Sequence, residues 1–137
     1  MKKLRRPEPS GNGKFSAPHP SSDSSATQKP HFSLEFLVKG FTLTECDKDQ
    51  RSAFAMALQE RASLSWVDIG NSGRKGLGSE KIHSLNVPIT DTIMADKRDK
   101  IVSFRFGGNK ERFLGYRDGR VLYIVWVDPG GRVYDHG

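Results

Sequence analysis

Residues 112–127 have the sequence Arg-Phe-Leu-Gly-Tyr-Arg-Asp-Gly-Arg-Val-Leu-Tyr-Ile-Val-Trp-Val. The dipeptide Asp118-Gly119 is typical of a two-residue hairpin turn, because such turns need positive φ at both central positions. It separates a strand of mixed polarity, residues 112–117, from the continuous apolar run of residues 121–127. A run without polar alternation is expected for a strand that is covered on both faces. This stretch therefore predicts an antiparallel hairpin at the centre of a sheet.

Two further segments extend this hairpin into an antiparallel meander of three to four strands. Residues 101–106 predict a strand, which ends at the turn residues Gly107-Gly108-Asn109. The sequence Asp128-Pro129-Gly130 favours a turn, because proline presets φ and glycine accepts the reversed conformation. Residues 132–135 then predict a short final strand.

The residues before the meander predict one strand and two helices. Residues 32–38 indicate the strand, and apolar residues at helical spacing predict a first helix over 47–63 whose start is capped by Thr44. Ser65 is the expected cap of a second helix over residues 65–71, and residues 80–97 indicate an irregular connector. Two helices can cover one face of the sheet, so we expect a two-layer α+β domain.

Composition divides the 137 residues into a tail and a domain. Residues 1–30 hold five of the seven prolines and six basic against two acidic residues. Such a segment cannot bury enough apolar surface to offset its chain entropy, so we predict a disordered, basic, Pro/Ser-rich tail. Residues 31–137 are expected to form a single domain, whose charge is nearly balanced although the whole chain carries +6.

Several classes of protein are excluded by the same composition. No apolar run approaches the roughly 20 residues of a membrane-spanning helix, and no apolar segment follows the basic N-terminus as in a secretory signal. Cys46 is the only cysteine, so neither a disulfide framework nor a cysteine-based zinc site fits. The histidines lack metal-ligand spacing, and we expect no cofactor. A reducing, cytoplasmic setting is the default for such a chain.

Positive charge is concentrated in residues 97–120, which hold eight basic and three acidic residues. If this stretch lies on one face, the domain has a positive side that a flexible polyanion can use. Six of its residues are our candidates for RNA binding: Lys97, Arg98, Lys100, Lys110, Arg112 and Arg120.

The order of one strand, two helices and a C-terminal meander resembles the RelE/ParE-like superfamily of bacterial toxins. In residues 101–136, a strand bearing Arg105 precedes one that ends in Gly115-Tyr116-Arg117, and an Asp-Gly hairpin and a terminal Arg-Val-Tyr-Asp-His segment follow. Ribonuclease members are similar in ending with tyrosine or histidine beside arginines of the meander. They cleave messenger RNA, usually in the ribosome, without a metal. The resemblance covers residues 32–137 and implies RNA or the ribosome as ligand and an acidic antitoxin as partner.

Metal-independent RNA cleavage needs a base for the 2′-hydroxyl, a proton donor for the leaving 5′-oxygen, and cations that stabilise the phosphorane. His136 is the candidate acid or base, because an imidazole titrates near neutrality. Tyr134 can orient the phosphate or stack on a base, and Arg105 and Arg117 can bridge phosphate oxygens with forked donors. His136 equally fits a frayed, exposed terminus.

Alternative interpretations stay open for these and neighbouring residues. Arg105 alternates with Phe104 and Phe106, so it also fits the solvent face of an amphipathic strand. His83, beside Glu80, is a second candidate acid or base. Three aromatic residues are assigned to the core rather than to a base-stacking surface: Tyr116, Tyr123 and Trp126. The rival function is that of a non-enzymatic accessory protein of a mobile element, which binds a protein or a nucleic acid.

Overall fold

The computed structural model describes residues 22–73, 77–89 and 96–135, and it confirms the α+β class. The helices are α1 (Lys48–Ala62) and α2 (Trp66–Asn71). The strands are β1 (His31–Ser33), β2 (Ser79–Lys81), β3 (Ile101–Arg105), β4 (Arg112–Asp118) and β5 (Val121–Asp128). None of the helices in these ranges is long and apolar enough to cross a membrane.

The five strands form one mixed sheet in the order β1-β5-β4-β3-β2. The hairpin of β4 and β5 and the β3–β4 pair are antiparallel as predicted, while β1 lies parallel to β5. The predicted strand over residues 32–38 is shorter than expected, because a turn closed by Leu37 N–H and Leu34 O lifts the chain off the sheet. The chain returns at Val38, whose N–H donates to Val125 O.

The prediction of a final strand over residues 132–135 is wrong. The Asp128 carboxylate accepts the backbone N–H groups of Arg132 at 2.9 Å and Val133 at 2.8 Å, so these groups do not join a ladder. The reversed conformation that we expected at Gly130 occurs at Gly131, with φ of 68°. The fourth antiparallel strand is β2, which begins just before the segment predicted to be irregular and pairs with β3.

Both helices begin at capping boxes, although the first cap is not the predicted residue. The Asp47 carboxylate accepts from Gln50 N–H at 2.8 Å, and the Gln50 side chain accepts from Asp47 N–H. Thr44 lies instead inside a short 3-10 turn that Thr42 caps. The predicted cap Ser65 is confirmed, because its hydroxyl accepts from Asp68 N–H. Both helices are therefore within two residues of their predicted bounds.

One face of the sheet packs against α1 and α2. Phe104 of β3 stacks on Phe113 of β4 with ring centroids 5.2 Å apart, and Phe54 of α1 meets Phe113 edge-on at 5.4 Å. Arg61 of α1 is 1% exposed, lies over both stacked rings, and donates to the carbonyl oxygens of Ala57, Leu77 and Arg105. Burial lowers the pKa of this guanidinium. Arg61 therefore ties the C-terminal end of α1 to the end of β3.

The opposite face is covered by loops rather than helices, and we call it the loop face. Its buried residues include Ile101, Leu114, Val125 and Trp126, and parts of the segments 36–41, 82–89 and 133–134 pack on them. Both faces of the sheet are thus covered at β5, as the continuous apolar run of this strand predicted. Loops leave a more irregular surface than helices do, and the polar side chains discussed below lie on this face.

Residues 22–30, which we call the strap, pack on the helical face beside α2. Composition assigns them to the tail, yet Gln28 O accepts Trp66 N–H, and Lys29 O accepts the Arg120 Nε–H. The Trp66 indole N–H donates in turn to Arg120 O. The strap is therefore held by the start of α2 and by the β4–β5 turn. The rest of the predicted disordered tail, residues 1–21, lies outside the described ranges.

Candidate functional site

The four predicted catalytic residues fall in different places. His136 lies outside the described residues. Tyr134 is 4% exposed and packs into the loop face, where its hydroxyl lies 3.0 Å from Ser103 Oγ. Ser103 and Arg105 are two residues apart on β3, so their side chains leave the sheet on the same side. Tyr134 and Arg105 therefore share the loop face.

Arg117 lies on the other side of the sheet. Its guanidinium is 5.1 Å from the centroid of the Trp66 ring and donates to Ser25 Oγ at 2.9 Å, so it faces α2 and the strap. Arg105 is directly opposite Arg112, and Arg117 is five residues further along β4. At about 3.3 Å per residue, this separates the two predicted arginines by about 17 Å along the strands as well as by the sheet itself. They cannot clamp one phosphate together.

We expect Arg117→Ala to lower the free energy of unfolding by about 1–2 kcal/mol, because it removes a hydrogen bond and a cation–π contact. The strap should also become more susceptible to protease than in the wild type. Urea denaturation and limited proteolysis measure the two effects. Unchanged stability together with an unchanged digestion pattern would show that Arg117 does not hold the strap.

The predicted RNA-binding residues also lie in different parts of the domain. Lys97 is partly exposed, and Arg98 and Lys100 form an exposed 3-10 turn directly before β3. Lys110 is exposed at the opposite end of β3, and Arg120 lies in the β4–β5 turn under the strap. Arg112 is 6% exposed and donates to the carbonyl oxygens of Asn109 and Glu111, so its guanidinium is not presented to a ligand. Residues 97–100, which we call the lysine turn, reach Tyr134's side of the sheet, because the Lys97 ammonium group lies over the ring of Tyr116 on the loop face.

A polar groove of about 220 Å³ lies at the β2 edge of the sheet, and Tyr134 forms part of its wall. We call it the edge groove; its polar lining includes Glu80, Lys81, His83, Asn86, Tyr134 and Asp135. The Tyr134 hydroxyl donates to Glu80 Oε1 at 3.4 Å, and Glu80 is paired with Ser103 in the β2–β3 register. His83 follows two residues after β2 and is exposed. A phenol, a carboxylate and an imidazole therefore line one groove. Lys81 pairs with Val102, which packs on the helical face, so its side chain leaves the strand on the side opposite to Glu80.

The C-terminal segment reaches this groove through two polar anchors. Asp128 holds Arg132 and Val133 as described above. Asn86 then donates its side-chain amide to Asp135 at 2.9 Å, and its backbone N–H donates to Val133 O. Tyr134 is fixed between these anchors, so its hydroxyl stays beside Ser103.

Comparison of the chain with protein-family models, curated proteins and solved structures finds no match. The resemblance to RelE/ParE-like toxins therefore stays a prediction, and the site must be argued from its own chemistry. Within the ranges that the structure describes, no three or more His, Cys, Asp or Glu side chains are grouped to hold a metal ion.

Sequence reasoning placed Glu80 and His83 beside each other but did not place them beside Tyr134. That proximity depends on β2, whose three residues showed no apolar alternation. Cys46 is buried just before the α1 cap, and this burial raises the pKa of its thiol. Cys46 is therefore a core residue.

Proposed function

We propose that the protein binds single-stranded RNA at the edge groove and cleaves it without a metal, as the resemblance to RelE-like toxins implies. The observation that carries the proposal is the shared groove of Glu80, His83 and Tyr134. The toxin hypothesis adds an acidic protein partner, the antitoxin, which would cover the same basic side of the domain.

The groove holds the groups that RNA cleavage needs. The Glu80 carboxylate can take the 2′-hydroxyl proton, the 2′-oxygen then attacks phosphorus, and the 5′-oxygen leaves as the His83 imidazolium gives it a proton. The products are a 2′,3′-cyclic phosphate and a 5′-hydroxyl. The Tyr134 hydroxyl, already hydrogen-bonded to Glu80, orients the carboxylate. The lysine turn supplies positive charge for the phosphorane, as described next.

Positive charge next to the groove supports RNA as the ligand. The Ile82 N–H donates to Ile101 O at 2.9 Å, so the residue after Lys81 lies directly beside the residue after Lys100. The lysine turn is therefore adjacent to the groove. Lys97 and Lys100 can bind the phosphates that flank the scissile one, which gives an affinity that falls as salt rises. Asp96 and Asp99 are exposed in the same region, so the attraction is local rather than a property of the whole face.

A non-enzymatic RNA-binding role is the second candidate. It is favoured by the placement of the arginines, because Arg112 and Arg117 bind protein groups and leave the lysines of the lysine turn as the cations beside the groove. Forked donors bind a phosphorane more tightly than an ammonium does. In this case the same groove binds RNA and releases it intact.

Incubation of a single-stranded RNA with the purified protein and excess chelator tests the proposal. We expect fragments with 2′,3′-cyclic phosphate ends, and no cleavage of DNA of the same sequence, which lacks the attacking hydroxyl. His83→Gln should slow cleavage about 100- to 10,000-fold, the usual contribution of an acid–base group. Tyr134→Phe should slow it less, because the phenol positions Glu80 and does not transfer a proton.

His31→Gln is the matched control, because His31 is also exposed but lies on β1, at the other edge of the sheet. Its cleavage rate should equal that of the wild type. Free and ribosome-bound RNA that both stay intact would contradict the enzymatic proposal. Salt-dependent binding of that intact RNA would then establish the second candidate, whereas no binding at all would contradict both.

A further inference from the structure

Three aromatic residues form a continuous row on the loop face. Tyr116 of β4 and Tyr123 of β5 are paired across the hairpin, with ring centroids 5.2 Å apart and an interplanar angle of 24°. Phe36, from the loop after β1, continues the row, with its ring 5.4 Å from that of Tyr123. We call these three residues the aromatic row.

The two ends of the aromatic row differ in exposure. Tyr116 is 3% exposed, and Lys97 Nζ lies 5.5 Å from its ring centroid. Tyr123 and Phe36 are partly exposed. Leu34 and Val38, two residues before and after Phe36 in the chain, are among the large apolar residues that the described surface exposes, at 43% and 37%. Lys97 therefore covers the Tyr116 end of the row, whereas the end at Tyr123 and Phe36 presents an apolar, aromatic surface.

We propose that Phe36, the outer ring of the aromatic row, forms a base-stacking surface for single-stranded RNA, with Tyr123 packed behind it. Nucleic acids are bound without sequence readout by aromatic faces on which bases stack, combined with cations that follow the phosphates. The aromatic row supplies the faces, and Lys97 joins it to the lysine turn. This inference rests on the proposed RNA ligand and places its bases. Tyr123, which sequence reasoning assigned to the core, lies between Tyr116 and Phe36 and supports the Phe36 ring.

The position of the row fits one strand of RNA that also occupies the edge groove. In the β-sheet, Ile101, Tyr116 and Tyr123 are successive partners on β3, β4 and β5, and Ile82 lies beside Ile101. Three strand spacings of about 4.8 Å separate the groove side from Tyr123, a distance of about 14 Å. A few nucleotides span this distance, so the scissile phosphate and the stacked bases belong to one segment. In this proposal the groove cleaves the RNA, and the aromatic row raises the affinity by stacking on its bases.

Phe36→Leu tests the stacking surface, because leucine keeps an apolar side chain and removes the π face. We expect its affinity for a short fluorescent single-stranded RNA to fall about 5- to 150-fold, the effect of losing one base stack. Tyr123→Leu should also weaken binding, because it removes the ring that supports Phe36. Tyr123→Phe keeps that ring and should bind RNA as the wild type does. Inorganic polyphosphate, which has the charge but no bases, should bind wild type and Phe36→Leu equally well.

Phe41→Leu is the matched control. Phe41 belongs to the same loop and cluster, but the Arg132 guanidinium covers its ring at 4.5 Å. The RNA affinity of Phe41→Leu should differ from that of the wild type by less than twofold. Thermal unfolding checks that the Phe36 and Phe41 variants are both folded. Equal binding by Phe36→Leu and wild type, or equal losses in the Phe36 and Phe41 variants, would overturn the stacking surface while leaving RNA binding intact. Failure of the wild type to bind RNA would overturn the proposed function and this inference together.

Discussion

Replacing Gly115 with alanine should lower the free energy of unfolding by about 3–5 kcal/mol, which is a large part of the stability of a small domain. Gly115 lies where the β4–β5 register shifts, between Leu114, paired with Trp126, and Tyr116, paired with Tyr123. A Cβ atom there would clash with the carbonyl oxygen of Tyr123 and lie 3.0 Å from Ile124 Cα. Backbone atoms of a central strand cannot yield as a side chain does, so the hairpin must open.

Urea denaturation followed by tryptophan fluorescence measures this effect, because Trp66 and Trp126 are both buried. Gly70→Ala is the matched control. A Cβ at Gly70, inside α2, would have nothing within 4 Å, and alanine favours the helix. It should raise stability by about 0.5–1 kcal/mol. A Gly115→Ala variant that is as stable as the wild type would mean that the two strands are not as closely packed at this register shift as described.

Asp128→Ala is expected to cost about 3 kcal/mol in unfolding free energy and to abolish binding at the edge groove. The carboxylate is fully buried, and its removal leaves the N–H groups of Arg132 and Val133 without their charged acceptor. Those two residues position Tyr134. The loss of function should therefore exceed that of Tyr134→Phe, which removes only the hydroxyl.

Asp96→Ala provides the comparison, because Asp96 is exposed and should change stability by less than about 0.5 kcal/mol. Stability comes from urea denaturation and function from RNA binding in buffer without urea. The stability and the RNA affinity of Asp128→Asn should lie between those of Asp128→Ala and Asp96→Ala, since an amide oxygen can still accept one of the N–H groups. An Asp128→Ala protein with wild-type stability and RNA affinity would contradict the anchoring role.

Local sequence signals predicted the parts of the fold whose cause is local. The hairpin, the run over residues 121–127 and the Ser65 cap are each specified within a few residues, and the structure contains all three. The two turn residues are, however, Gly119 and Arg120 rather than the predicted Asp118 and Gly119, because Asp118 still pairs with Val121. The strand over 32–38 ends early because the backbone turn between Leu34 and Leu37 interrupts it. The final strand over 132–135 is absent because side-chain contacts replace the ladder. Asp128, for example, takes the N–H groups that a strand would need.

The candidate site was less predictable, since it depends on pairing across the sheet. Nothing in the sequence indicated which face of β4 would carry Arg117, or that Ser25 and Trp66 would bind it there. Likewise, Glu80 comes near Tyr134 because Ser79–Lys81 adds a strand to β3, and three polar residues carry no strand periodicity. Tyr134 was selected through a family resemblance, and its contacts with Ser103 and Glu80 emerged from the structure.

The parallel pairing of β1 with β5 has a consequence for the order in which the chain folds. Residues 31–33 find their partners at 121–123, so about ninety residues must be synthesised before β1 can join the sheet. The β3–β5 meander and the two helices can form through contacts between near neighbours, whereas β1 and the strap close a long loop. We therefore expect the strap and β1 to dock last and to undock first. In a ribosome-attached chain, these residues would stay open to proteases until β5 had emerged.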